Sequence, residues 1–199
     1  MPYDDKFFEA YREYLKEPLV RTVHDSMFRV LEKHLAPLWP RVLDLGCGVG
    51  EFANFYNCKC ELNGGHAYFG VDLQSHGSHC SAVADYTKEL PSLPFNPNCF
   101  ISLFSVECCL DANSKYGLYN RAFKDLPSVS CALVSGFYYR SRASFERVQE
   151  VGGIESYQTI EQAIQHPSSV FSEFRNTVAV PSKMFGDDVV EVWKLLVRN

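Results

Sequence analysis

Acids and glycines in this sequence are spaced as a nucleoside-binding turn requires. The stretch Asp44-Leu45-Gly46-Cys47-Gly48-Val49-Gly50-Glu51 puts an acid at the end of an apolar run and glycine at alternate positions after it. Glycines let the backbone turn sharply at a strand end and let a ligand lie against the main chain, where any Cβ would collide. Asp44 can accept hydrogen bonds from an amine or from loop amides. A dinucleotide fingerprint needs glycine three residues beyond Gly48, but that position is Glu51, a carboxylate where a pyrophosphate would sit. A nucleoside ligand without phosphates meets no such repulsion. A second acid, Asp72, ends the run Tyr68 to Val71 and lies 22 residues after Gly50. A carboxylate there can accept from both ribose hydroxyls, a device dehydrogenases share, or serve only as a strand-end turn residue.

Other constellations carry less chemistry. Cys58, Cys60, His66, His76, His79 and Cys80 fall close together, but the first two are separated by one residue, whereas common zinc modules use two to four, so no metal is expected. Cys47 has no His or acid at motif distance and reads as a small loop residue rather than a nucleophile. The net charge of -5, with no run of Lys and Arg, argues against bulk nucleic-acid binding, although Arg140, Arg142 and Arg147 leave a local basic groove open. A polar, acidic start and the lack of any long apolar run imply a protein outside the membrane, in the cytoplasm, whose eight cysteines are reduced thiols.

These residues need a scaffold. Phe7, Phe8, Tyr11 and Leu15 share one helical face, then a break at Pro18 precedes Val23, Met27, Val30 and Leu31 on the next, so two helices are expected over Asp4 to Leu35. Strands are expected at Arg41 to Leu45, Ala67 to Leu73, His79 to Ala84, Cys99 to Val106 and Ser130 to Tyr138, and their alternation with helical segments favours a parallel sheet. Val170 to Val180 and Val189 to Val197, joined by Pro181, Gly186 and Asp187, read as a terminal antiparallel hairpin. A hydrophobic share of 46% suffices for one core, and neither a repeat nor a linker calls for a second domain.

The Asp-x-Gly-x-Gly-x-Gly run resembles the first motif of class I S-adenosylmethionine-dependent methyltransferases, and the resemblance extends over Val42 to Tyr138. It implies a three-layer Rossmann-like α/β sandwich with a mostly parallel seven-stranded sheet, an antiparallel C-terminal hairpin and preceding N-terminal helices. Residues 1–40 would form a helical lid and 41–199 the core of one domain. S-adenosylmethionine is the implied cofactor, bound by Asp44, Gly46, Cys47, Gly48, Gly50, Asp72, Leu73, Asp85, Tyr86 and Ser105, with Asp85 accepting from the adenine amino group. Phe104, Ser105, Val106 and Glu107 would line the methyl-transfer pocket. The Asn-Pro-Pro-Tyr type of motif found in relatives that methylate amide or adenine nitrogens is missing, since Ser105-Val106-Glu107-Cys108-Cys109 stands there.

Methyl transfer needs alignment of the acceptor and exclusion of water, and a base only when the nucleophile arrives protonated. Glu107 is the candidate base, with Tyr11, Tyr14, His24 and Tyr138 as possible neighbours; the alternative is a solvated helix-start residue. Tyr138 either shapes the acceptor pocket or caps the core. Tyr11 and Tyr14 would pack near the methyl group, with Tyr11 alternatively anchoring the first helix through its apolar stripe, and Arg12 or Arg21 could pair with the methionine carboxylate. The acceptor is expected to be a small molecule or a protein side chain. A non-catalytic cofactor-binding subunit and, less favoured because of Glu51, a nucleotide-dependent oxidoreductase are the rival functions.

Overall fold

A computed structural model describes residues 4–60, 67–150, 168–179, 184 and 189–199. Helix α1 (Asp5–Tyr14) begins where the Asp4 carboxylate accepts from Phe7 N at 2.9 Å, satisfying one of the otherwise orphaned amides of a helix start. Its apolar stripe buries Phe7, Phe8, Tyr11 and Tyr14. Pro18 opens α2 (Pro18–Leu35), a position where its missing N–H costs nothing. There follow β1 (Arg41–Leu45), α3 (Glu51–Cys60), β2 (Ala67–Asp72), β3 (Cys80–Val83), β4 (Cys99–Leu103), α4 (Ser105–Cys109), α5 (Ala112–Asp125), β5 (Cys131–Tyr139), α6 (Arg142–Gln149), β6 (Phe171–Ala179) and β7 (Val189–Arg198).

The seven strands form one sheet in the order β3-β2-β1-β4-β5-β7-β6. β1 to β5 run parallel, and β7 lies antiparallel between β5 and β6. This is a three-layer Rossmann-like sandwich. Strand alternation divides the core in two: Val42, Ile101, Leu133, Phe137 and Trp193 meet α1, α2, α3 and α6 on one face, while Leu43, Phe100, Val134 and Leu196 meet α5 on the other. The chain leaves β1 toward β2 on one side and later returns through β4 on the other, so the crevice above β1 and β4 is the topological switch point where open α/β sheets bind ligands. No helix among the described residues is long and apolar enough to cross a membrane. The joining residues Pro181, Gly186 and Asp187 of the hairpin, and His66, lie outside the described residues.

One boundary differs in a way that matters. The apolar run expected as a strand through Val106 stops at Leu103, because Phe104 turns the backbone at φ 65° and Ser105 starts α4. Periodicity cannot separate a short buried strand from the buried helical turn that continues it. The turn sends Glu107 beneath the sheet's α5 face, so close to β5 that a Cβ at Gly136 would lie 2.5 Å from that of Glu107.

Glu107 is therefore neither a pocket residue nor a solvated one. It is fully buried and its carboxylate accepts from Lys115 Nζ at 3.0 Å, Lys194 Nζ at 2.9 Å, Tyr119 Oη at 2.7 Å and Tyr138 Oη at 2.7 Å. Burial alone would raise its pKa, but Lys194 and Lys115 outweigh that cost and bring it down to about 2. Fully buried on the α5 face among these four donors, Glu107 does not stand where the base expected of it would act. Tyr138 belongs to the same cluster instead of the pocket rim. Removing one partner of a buried ion pair leaves the others uncompensated, so Glu107→Ala should lower unfolding free energy by about 3–5 kcal/mol, read by urea denaturation. A folded-state pKa below the ordinary 4.5 means this contribution is complete above that value and lost as the pH falls through about 2; a variant as stable as the parent at pH 7 would show the cluster to be energetically idle.

Candidate active site

A cavity enclosing about 1210 Å³, its open mouth included, lies over the carboxyl ends of the parallel strands. Its floor is the loop after β1. Gly46 and Gly50 both take left-handed backbone angles (φ 76° and 74°), and a Cβ on either would collide, with Ser105 and His79 respectively. Gly46 N donates to Val71 O at 2.8 Å and Gly48 N to Asp72 Oδ2 at 2.8 Å, which fastens the loop to the end of β2. Asp72 Oδ1 accepts from Leu73 N at 2.7 Å, so the carboxylate is fixed by two amides while each oxygen keeps a lone pair for a ligand.

Asp44 is buried beneath this loop. Oδ2 accepts from the Tyr68 hydroxyl at 2.6 Å, whereas Oδ1 has no hydrogen-bond partner although it is buried. Burial pushes its pKa up to about 7, against the lowering effect of the Tyr68 hydroxyl and helped by Asp72 and Glu51. A buried oxygen without a donor is costly, and a ligand amine would relieve it. Asp85, at the opposite rim, is tied to the Thr87 hydroxyl at 2.5 Å and to Lys88 at 2.9 Å, and these lower its pKa, so it stays ionised. Beside it the Tyr86 hydroxyl and Ser105 Oγ are hydrogen-bonded at 2.7 Å.

The wall nearest α1 is aromatic. Phe7, Phe8, Tyr11 and Phe104 line it, with Tyr11 and Phe104 edge to face at 5.3 Å and Phe104 stacked on Phe137 at 4.0 Å. The Tyr11 hydroxyl donates to Glu51 Oε2 at 2.7 Å. Glu51 Oε1 contacts His24 Nδ1, and His24 Nε2 donates to Glu191 Oε2 at 2.9 Å. Burial disfavours a charged imidazole, but Glu191 and Glu51 on its two nitrogens prevail and hold the His24 pKa well above 6.5. Burial and then the Glu51 charge push the Tyr11 hydroxyl well above 10, so it remains a neutral donor.

Of the residues expected from sequence, Asp44, Gly46, Cys47, Gly48, Asp72, Leu73, Asp85, Tyr86, Ser105 and Tyr11 all line this cavity. Others do not. Gly50 is turned against His79. Tyr14 lies a turn deeper than Tyr11, donating to Glu191 at 3.3 Å. Arg12 borders a separate outer cleft with Lys6 and Lys16, and Arg21 another with Asp25 and Arg29, so neither is placed for a methionine carboxylate. Among the described residues no group of three or more His, Cys, Asp or Glu could hold a metal. Sequence reasoning missed the positive part Glu51 plays in the wall, together with Phe7, Phe8 and His76. Glu51 was visible as the residue that follows the glycine loop, and the aromatics as the apolar stripe of α1.

No protein-family model matches the sequence, and no curated protein does. Solved structures do match. The plantazolicin methyltransferase BpumL, in complex with a monoazolic desmethylPZN analog and S-adenosylhomocysteine (SAH), superposes with a TM-score of 0.58 at 15% identity, covering 96% of this chain and 90% of that one. The N-methyltransferase NodS from Bradyrhizobium japonicum WM9, in complex with SAH, gives 0.55 at 14% identity over 98% and 99% of the two chains. An S-adenosylmethionine-dependent methyltransferase from Archaeoglobus fulgidus gives 0.52 at 16% identity over 88% and 94%. With the sheet order, the glycine loop and the strand-end acids, these superpositions establish that the chain has the class I S-adenosylmethionine-dependent methyltransferase fold.

Proposed function

We propose that this chain is a cytoplasmic, single-domain S-adenosylmethionine-dependent methyltransferase whose acceptor is a small molecule or a protein side chain. The observation that carries the reading is Asp44: an acid buried under a glycine loop at the edge of the cavity, with one oxygen unpartnered. When bound, the cofactor would supply a methyl group already activated by a sulfonium. The residues present suit it. Asp44 Oδ1 would accept from its α-ammonium, Asp72 from the ribose hydroxyls and Asp85 from the adenine amino group. Tyr86 and Leu73 would flank the base, while Gly46 to Gly48 admit the ligand against bare backbone. The chain's own task is then to align the acceptor and keep water out, with no covalent intermediate. Phe7, Phe8 and Tyr11 support reading α1 as a lid, since they line the cavity while their helix anchors in the core.

Incubating the protein with methyl-labelled cofactor and cell extract, then identifying the labelled product, tests the activity; binding of SAH with no label transferred to anything would favour a non-catalytic subunit. Calorimetry should show SAH binding and none with NAD. Asp44 must be ionised to hold an ammonium, and its pKa near 7 predicts that SAH affinity falls as the pH drops from 8 to 6. Asp44→Asn should flatten that dependence and weaken binding at pH 8 by about 1–3 kcal/mol. A steep profile that survives in the variant would assign the titration to another group. Hydrogen exchange addresses the lid: amides of Asp5 to Tyr14 should gain protection on addition of SAH, because lids come from the low-stability end of a structure. Equal protection with and without SAH would make α1 a fixed wall.

A further inference from the structure

We propose that the methyl acceptor is an amine that enters as its ammonium, seated against the rings of Phe7, Tyr11 and Phe104 with its N–H donors on the Glu51 carboxylate. This rests on the methyltransferase reading and deepens it by naming the acceptor class.

Asp72 and Asp85 stand at the ends of β2 and β3, on one side of the cavity. On the other side, over β1 and β4, stand Glu51, Tyr11 and Phe104, to which the cofactor reading gives no part. Four carboxylates line the cavity, those of Asp44, Glu51, Asp72 and Asp85, and among the described residues no Lys or Arg does. An anionic acceptor would meet four carboxylates, of which Asp85 is paired with Lys88 and Glu51 with the His24 imidazole, whereas an ammonium meets complementary charge. The Glu51 side chain keeps 12% exposure, and Tyr11 and His24 take one site on each of its oxygens, which leaves two of its roughly four acceptor sites for a ligand. Behind it a single imidazole faces two carboxylates, Glu51 and Glu191.

The aromatic wall suits the same ligand. Ring faces attract an ammonium within about 6 Å of their centroids. Tyr11 stacks on Phe7 at 5.8 Å and on Tyr14 at 5.9 Å and meets Phe104 edge to face, so the wall is a packed aromatic row. Phe104 holds its place at φ 65°, a backbone angle that side chains other than glycine rarely adopt, and such angles persist where surrounding contacts over-determine them. Here the stack on Phe137 and the bond from Phe104 N to Ser135 O at 2.7 Å do so.

In the reaction the ammonium first gives one proton to water through the open mouth. The nitrogen lone pair then forms the N–C bond while the C–S bond breaks and its electrons remain on sulfur. Positive charge would thus pass from sulfur to nitrogen, beside the Glu51 carboxylate that also holds the entering ammonium.

The test is calorimetry on SAH-loaded protein with three probes of one shape: benzylamine hydrochloride, benzyl alcohol and sodium benzoate. Benzylamine should bind at least about tenfold more tightly than either of the others, and Glu51→Gln should remove that preference. Benzoate or benzyl alcohol binding as well as the amine, no probe binding at all, or a preference that persists in folded Glu51→Gln, would overturn the assignment. If Glu51→Gln does not fold, the ranking of probes on the parent protein decides. Failure of SAH itself to bind would overturn the cofactor reading and this proposal together, whereas SAH binding without amine preference overturns the acceptor class alone.

Discussion

One buried imidazole sets the position of the cavity wall. His24, on α2, contacts Glu51 at the start of α3 and Glu191 on β7, and the two carboxylates in turn accept from Tyr11 and Tyr14 of α1. Four elements far apart in sequence are thus joined through a set of polar atoms withdrawn from water. Such atoms tolerate little displacement, because an unpaired charge in the interior costs far more than the pair contributes. The aromatic face that α1 turns toward the cavity is therefore located by charges beneath it as well as by its own packing.

The opposite face of the sheet carries a counterpart of reversed balance. There one carboxylate, Glu107, serves two lysines and two tyrosine hydroxyls, while near the cavity one imidazole serves two carboxylates. β7 supplies both clusters from a single strand: Glu191 and Lys194 are three residues apart, an odd step, so they project to opposite faces. The negative side adjoins the cavity and the positive side is sealed beneath α5. A cationic ligand thus finds an acidic cavity in which, among the described residues, only Asp85 has a lysine partner, Lys88, while Lys115 and Lys194 lie across the sheet.

The glycine loop, the strand-end acids and the strand order could be read in the sequence because their chemistry is local: each depends on a few neighbouring residues and on the period of the elements around them. Asp44, Asp72 and Asp85 line the cavity because strands ending in one layer bring their last residues to one edge. Glu107 was misread because its surroundings depend on where β4 ends, and of the two readings of Tyr138 it is the core one that the structure shows. Had the strand run on, Glu107 would have stood at the rim with Ser105; the turn at Phe104 instead carries it through to the α5 face, and Tyr138 follows by the parity of β5. Nothing in the local pattern marks that turn, since Phe has no preference for a positive φ. Tyr14 was misplaced for a related reason: it shares the stripe of Tyr11 but lies three residues on, nearly a full turn deeper beside β7.

Glu51 shows how one residue can be read correctly for the ligand it excludes and still be underread for what it builds. A dinucleotide would need its pyrophosphate at the start of α3, where the aligned backbone dipoles and bare amides favour an anion. Here the chain carries an anion of its own at that helix start, and the side chain, held by Tyr11 and His24, adds its charge to the cavity. Exclusion of phosphate and attraction of a cation are the same electrostatic fact viewed from two ligands. The substitution that takes this glycine turn away from dinucleotide chemistry is thus the one that gives the far end of the cavity its charge.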